Sequence, residues 1–252
     1  MSAGKNCLYS GPHFPAAHGG VPTVSRSSLW QRILDLLEVG MGTVRNLLER
    51  PTGVDSVTFS IAFIALAAKL AKADGTVTRD EVTMFRRIFE IPPDEEANAA
   101  RVYDLCRQDP TGYEFYARQM ARTLQGSSGA ERTLETVLDG LFHIAMADGD
   151  YHPSEDAFLR AVARLFGLPN HLFLRLRAQH VPAFEDPWAV LGLEPGADAV
   201  TLARARRAFL IDNHPDRLIA HGLPSEMIAL ANARLAAFND AYDKVLGARA
   251  AP

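Results

Sequence analysis

The stretch "LFHIAMADGDYHPSEDAFLRAVARLFGLP" (residues 141–169) joins two apolar helical patterns through an Ala-Asp-Gly turn. It repeats an earlier one, "LAAKLAKADGTVTRDEVTMFRRIFEIP" (66–92). Aligned on Ala-Asp-Gly, Asp74 matches Asp148 and Glu81 matches Glu155, both offset by 74 residues. On either side of each turn, apolar residues recur every three or four positions, which is one face of a helix. Between the copies, "DEEANAARVYDLCRQD" (94–109) and "TGYEFYARQMARTLQ" (111–125) supply two more amphipathic helices. No alternating strand pattern and no hairpin signal occurs in the sequence. The expected fold class is therefore all-α, with residues 54–178 forming a helical bundle built on an internal repeat.

The repeated turns admit two uses. In the first, Gly75 and Gly149 close one helix, and Thr78 with Glu81 form a capping box that opens the next. In the second copy His152 takes the cap position and Pro153 the first helical position, where a missing N–H costs nothing. In the other use, Asp74, Glu81, Asp148, Asp150 and Glu155 converge on a hard cation through their oxygens. "DGTVTRDEVTMF" lacks the alternating acidic ligands of a calcium loop, so capping is the simpler expectation, and no cofactor is expected.

At the start of the bundle, "VTFSIAFIALAAKLAKADG" (57–75) is the most apolar window. It carries Lys69 and Lys72 and falls short of the ~20 apolar residues that a bilayer demands, which predicts a buried helix. Residues 28–52 place Trp30, Ile33, Leu34, Leu37, Met41, Val44 and Leu48 on one stripe, weakened by Gly40 and Gly42 and ended by Pro51. That stripe docks on the bundle or, in the alternative, lies in a headgroup layer, making residues 28–50 a peripheral membrane contact. Residues 1–27 are small, polar and turn-rich, as expected of a disordered tail. They lack the pattern of a signal peptide, and two cysteines far apart (Cys7, Cys106) indicate no disulfide frame. A cytoplasmic protein is expected; only in the alternative reading of helix 28–50 is it peripheral to the inner membrane. A net charge of −4 gives no general pull towards nucleic acid.

Downstream, "QHVPAFEDPW" (179–188) has two prolines and an acidic pair, so residues 179–185 read as a linker to a small module at 186–248. Gly192 ends a brief first helix, Asp198 caps a second that runs to about Asp212, and a long third helix starts near Pro224. Between the second and third lies "NHPDRL" (213–218), where the proline forces a break that displays His214 and Asp216. Arg204, Arg206 and Arg207 crowd the helix just before it. A basic helix running into a rigid corner with an imidazole and a carboxylate favours orientation of a partner with an acidic face. The local alternative is a proline turn in which Asp216 bonds to nearby backbone.

An enzyme is not expected. No nucleophile elbow, zincin helix or phosphate-cradling glycine loop is present, and the eight histidines are scattered without a Cys or Ser partner.

"DPWAVLGLEPGAD" (186–198), "LARARRAFLIDNHPDRL" (202–218) and "FNDAYDKVLG" (238–247) together resemble a J domain, the module of DnaJ-type co-chaperones. "HPDRLIAHGLPSEM" (214–227) is closer to the DjlA-like branch, and the repeat block resembles the TerB-like helical domain that precedes the J domain there. The two resemblances cover roughly residues 56–248. They imply a co-chaperone, with no bond-breaking of its own, that docks on a DnaK-type heat-shock chaperone and stimulates its ATP hydrolysis. His214, Pro215 and Asp216 match the family's signalling triplet, and Arg204, Arg206 and Arg207 fall in its basic patch. The clients are unknown; the bundle would choose client or location.

The chain departs from the family pattern in four ways. The family more often has an aromatic residue where Arg206 stands and a further basic residue near Ala208. Asp212 and Asn213 lower the positive charge of the approach. The glycine/phenylalanine-rich linker and cysteine-rich zinc domain of DnaJ are missing, so general substrate holding is not implied. The branch's N-terminal membrane span finds no match either, unless helix 28–50 is its remnant.

Overall fold

The computed structural model describes residues 28–49, 56–72 and 79–250, and among them every regular element is a helix. The calls on the tail (1–27), Asp74, Gly75 and Thr78, and on the side chain of Glu81, lie outside the described residues.

Helix α3 (Ser56–Leu70) is the axis of the fold. It is apolar all round, and Ile61 through Ala68 are fully buried, as expected of a helix surrounded by others. Around it stand α1 (Leu29–Val39), α5 (Glu96–Gln108), α6 (Tyr113–Leu124) and α7 (Ala130–Ala145). Asp109 fastens the turn between α5 and α6: its Oδ2 accepts the Tyr116 hydroxyl at 2.6 Å and the Thr111 N–H at 3.1 Å. Helices α4 (Arg79–Ile88), α8 (Pro153–Leu165) and α9 (Asn170–His180) complete the bundle.

The stripe at 28–52 forms two helices, not one. Ser28 opens α1 by accepting the Gln31 N–H at 3.1 Å, and Gly40, at φ +117°, separates it from α2 (Met41–Leu48). A side chain is strained at that φ, so glycine suits the break. Trp30 packs edge-on against Phe85 and Phe89, and Ile33, Leu34, Leu37, Val44 and Leu48 are buried with it. The bundle thus consumes the apolar face that a membrane contact through residues 28–50 needs. Among the described residues, no helix is long and apolar enough to cross a membrane.

Residues 179–185 differ from the open linker expected of them. Helix α9 runs to His180, Val181 is buried, and Pro182–Phe184 form a 3-10 turn. The acidic pair is structural: Asp186 caps α10 (Pro187–Leu191) by accepting the Trp188 N–H at 2.9 Å, and Glu185 pairs with Lys244 at 2.8 Å.

Beyond α10 come α11 (Ala199–Asp212), a short α12 (Pro215–Ala220) and the long α13 (Ile228–Ala250). The last is a spine shared by two cores. Its Leu230 and Ala231 join the bundle core together with Leu218, Leu223 and Met227, while Phe238, Ala241 and Val245 close a smaller core with Val190, Leu191, Leu202 and Phe209. Burying a side chain the size of leucine or methionine contributes about 1.5–3 kcal/mol, and four of that size seat the C-terminal module on the bundle.

Candidate partner-docking site

Asp198 starts α11 by accepting the Thr201 N–H at 2.7 Å. From there, helical spacing turns Leu202 and Phe209 inward, and Phe209 stacks on Phe238 with ring centroids 3.8 Å apart. The same spacing brings Val200, Arg204, Arg207 and Ile211 onto one exposed face, two cations between two apolar side chains. Arg206 is half-buried instead. Its Nε donates to Asn239 Oδ1 at 3.3 Å and its guanidinium lies 4.8 Å from the Tyr242 ring centre, so it clasps α11 to α13. Beside it, Ala203, Arg207, Leu210 and Ile211 help line a groove of about 400 Å³.

The His-Pro-Asp triplet opens a helix and is not a free loop. Pro215 is the first residue of α12, and the capping His214 accepts the Asp216 N–H on Nδ1 at 3.3 Å. Despite that bond the imidazole side chain is 56% exposed, and that of Asp216, whose carboxylate lies 3.6 Å from Nδ1, is 86% exposed. The local use and outward display therefore coexist. One turn further on, Leu218 plunges into the bundle core and holds the corner in place.

Asp212 does not project its charge. Its carboxylate is paired with Arg217 at 3.4 Å and with Arg132 of α7 at 3.5 Å. Asn213 is buried, and its Nδ2 donates to the Phe209 carbonyl at 2.9 Å. Asp212 thus ties the corner to the bundle through Arg132, and Asn213 closes the end of α11. Behind them Glu135, fully buried on α7, receives Arg175 of α9 and Arg234 of α13 on Oε1, and Arg132 on Oε2 at 3.3 Å. Arg234 also donates to Thr136 Oγ1 at 3.3 Å, and Thr133 Oγ1 donates to the His221 carbonyl at 3.3 Å.

With this geometry in hand, the relatives can be compared. The family model described as "Tellurite resistance protein TerB" matches residues 60–178. The co-chaperone protein DjlA of Escherichia coli (strain K12) is 34% identical over 229 residues, covering 81% of this chain and 83% of that one. The chain belongs to the DjlA co-chaperone family. Other DjlA co-chaperones are similar too, that of Aliivibrio fischeri at 27% identity over 219 residues (74% of this chain, 77% of the relative) and that of Photobacterium profundum at 28% over 234 (82% of each). No solved structure gives a significant match.

In this DjlA-family chain the acidic-turn residues among the described ones, Asp148, Asp150 and Glu155, are engaged in turn and cap bonds. Glu155 turns back to accept the His152 N–H at 2.8 Å, and Asp148 Oδ1 accepts the Asp150 N–H at 3.1 Å across Gly149, whose φ is +90°. Asp148 and Asp150 are exposed, and among the described residues neither joins a group of potential ligands. A different set does converge: Asp139, His143 and His180. The helical pair in "DGLFH" (139–143) was the one available signal, and His180 is too far along the chain to join it by pattern. Arg132, Glu135, Arg217 and Arg234 were equally unmarked.

Proposed function

We propose that the chain is a co-chaperone whose C-terminal module, residues 186–248, acts as a J domain on a DnaK-type heat-shock chaperone and stimulates its ATP hydrolysis. The outward display of His214 and Asp216 on a helix-capped corner carries this reading. A signalling triplet needs to be exposed and to hold its shape, and the exposure of His214 and Asp216 on a helix cap supports this. The exposed face of α11 adds Arg204 and Arg207 to steer an acidic surface, with Val200 and Ile211 for apolar contact once it arrives. Arg206 contributes less directly, by setting α11 against α13.

The module breaks no bond itself. Docking biases the partner between two nucleotide-linked states, which is a coupling free energy between sites on two proteins. The bundle gives client or location specificity.

A single-turnover ATPase assay with the cognate chaperone tests the proposal. Wild type accelerates hydrolysis; His214→Gln, at an exposed position, folds normally and leaves the chaperone at its basal rate. Equal stimulation by both proteins, or by neither, overturns it.

A further inference from the structure

We propose that Asp139, His143 and His180 form a binding site for a divalent transition-metal ion of the zinc class, placed where the bundle passes into the C-terminal module. Asp139 and His143 stand four residues apart on α7, which puts both on one helix face. His180, the last residue of α9, closes over them. The candidate ligand atoms all lie within 4.8 Å of one another. Tetrahedral zinc with bonds of 2.0–2.3 Å needs ligand separations of about 3.4 Å, so closure takes side-chain shifts of about an ångström.

The hydrogen bonding of the cluster is what points to an ion. Asp139 Oδ1 is satisfied, by His180 Nε2 at 2.7 Å and Gln179 Nε2 at 3.1 Å. Oδ2 of the same fully buried carboxylate has no hydrogen-bond partner, and neither does His143 Nε2, 3.9 Å away. Leaving two such atoms unmet costs roughly 1–3 kcal/mol each. A cation between them satisfies both at once.

The chemistry of the donors agrees. Two imidazoles and a carboxylate suit zinc and its neighbours rather than calcium or magnesium, which prefer oxygen alone. Metal ligation takes the neutral imidazole, whose free ring nitrogen supplies the lone pair. His180 would ligate through Nε2 after moving its proton to Nδ1. Its ring is already fixed, stacked on Phe142 at 5.5 Å between centroids. His143 is partly exposed and gives the ion a way in. Because Val181 and the 3-10 turn follow directly, an ion here would staple the end of α9, from which the chain leaves for the module, to α7.

The full chain, stripped of metal with chelator, is titrated with zinc chloride by calorimetry and with cobalt chloride by visible absorption. The expected result is one tight site, a cobalt spectrum of low symmetry containing nitrogen ligands, and a rise in thermal midpoint with zinc. His143→Gln, at the partly exposed position, lowers affinity by at least about 100-fold and abolishes the midpoint shift. Asp139→Asn does the same if circular dichroism shows it folded; if it does not fold, His143→Gln decides alone. No binding by the wild type, or wild-type affinity in His143→Gln, overturns the assignment, the latter by placing the ion on other histidines of the chain.

Discussion

Glu135→Gln keeps the shape of a side chain at the meeting point of three arginines and removes its charge. Glu135 has no exposed surface and faces Arg132, Arg175 and Arg234, the last of which is also fully buried. Burial, aided by the neighbouring Arg234 and Arg132, pulls the Arg175 pKa down to about 9. Burial likewise takes Arg234 to about 10, against the pull of Asp139. Both arginines therefore stay charged at pH 7, and the variant would strand them. Breaking one side of a buried ion pair costs about 3–5 kcal/mol. For a chain of this length each kcal/mol moves the thermal midpoint by about 2–4 °C, so a fall of about 6–20 °C is expected. Urea denaturation followed by circular dichroism measures the free energy. Limited proteolysis then shows whether the segment around residues 181–186 is exposed first. Adding Arg234→Met should recover part of the loss, because an apolar replacement for the whole pair is far less costly than half a pair. If Glu135→Gln stays within about 0.5 kcal/mol of wild type, or the two substitutions simply add, the network does not hold the module to the bundle.

Three further outcomes follow from the packing. In Gly140→Ala, a Cβ would lie 2.6 Å from Leu230 Cδ1 and 3.2 Å from Phe63 Cε2, so a change that ordinarily strengthens a helix interior should instead lower stability by about 1 kcal/mol. A gain in urea midpoint would refute the close approach of α13 to α7. His143 is held neutral by burial, so its contribution is full above its ordinary pKa of 6.5 and is lost as pH falls below it. Asp139 is pushed up by burial, but His180, His143 and Arg234 outweigh this and hold it at about 2, so its share persists above its ordinary 3.8 and is lost towards 2. The urea midpoint should thus drop between pH 7 and 5, less so in His143→Gln, and a flat profile in wild type contradicts this. Cys106 is fully buried, with burial pushing its thiol up to about 12. In a Cys7→Ser background it should resist a thiol reagent until denaturant is added; labelling of the native protein would disprove the packing of α5.

What the sequence made legible was local. Asp198 and Gly192 punctuate the module's helices where expected, because a cap bond at 2.7 Å and a left-handed φ of +67° are chosen by the residue itself. The stripe from Trp30 to Leu48 correctly marked a buried face, although periodicity alone could not show that Gly40 divides it. The triplet's exposure followed from the proline. Its helical character did not, since α12 is six residues long and Gly222 interrupts the pattern soon after. The prolines and acidic pair of 179–188 suggested a tether because composition does not reveal that Glu185 has Lys244 as a partner 59 residues away. The same holds for Glu135 with Arg234, and for Asp139 with His180. Long-range polar partners leave no period in a sequence.

The shared spine has a consequence for how such a co-chaperone would act. One side of the module is spent on the bundle through Leu218, Leu223, Met227, Leu230 and Arg234, while the face of α11 and the corner at His214 stay open. Docking surface and bundle then keep a fixed mutual orientation, unlike domains joined by a free linker. The contribution of each part should separate under mutation. His214→Gln removes signalling and leaves the urea midpoint in place, because the imidazole is exposed and its cap bond is long. Glu135→Gln lowers the midpoint and, at temperatures where the protein is still folded, disturbs signalling only as far as the corner depends on the bundle to hold it. Full stimulation by a destabilised Glu135→Gln would mean that the module works unaided and the bundle serves only client or location. A loss of stimulation with the fold intact would mean that the arginine cluster beneath the corner is part of the signal.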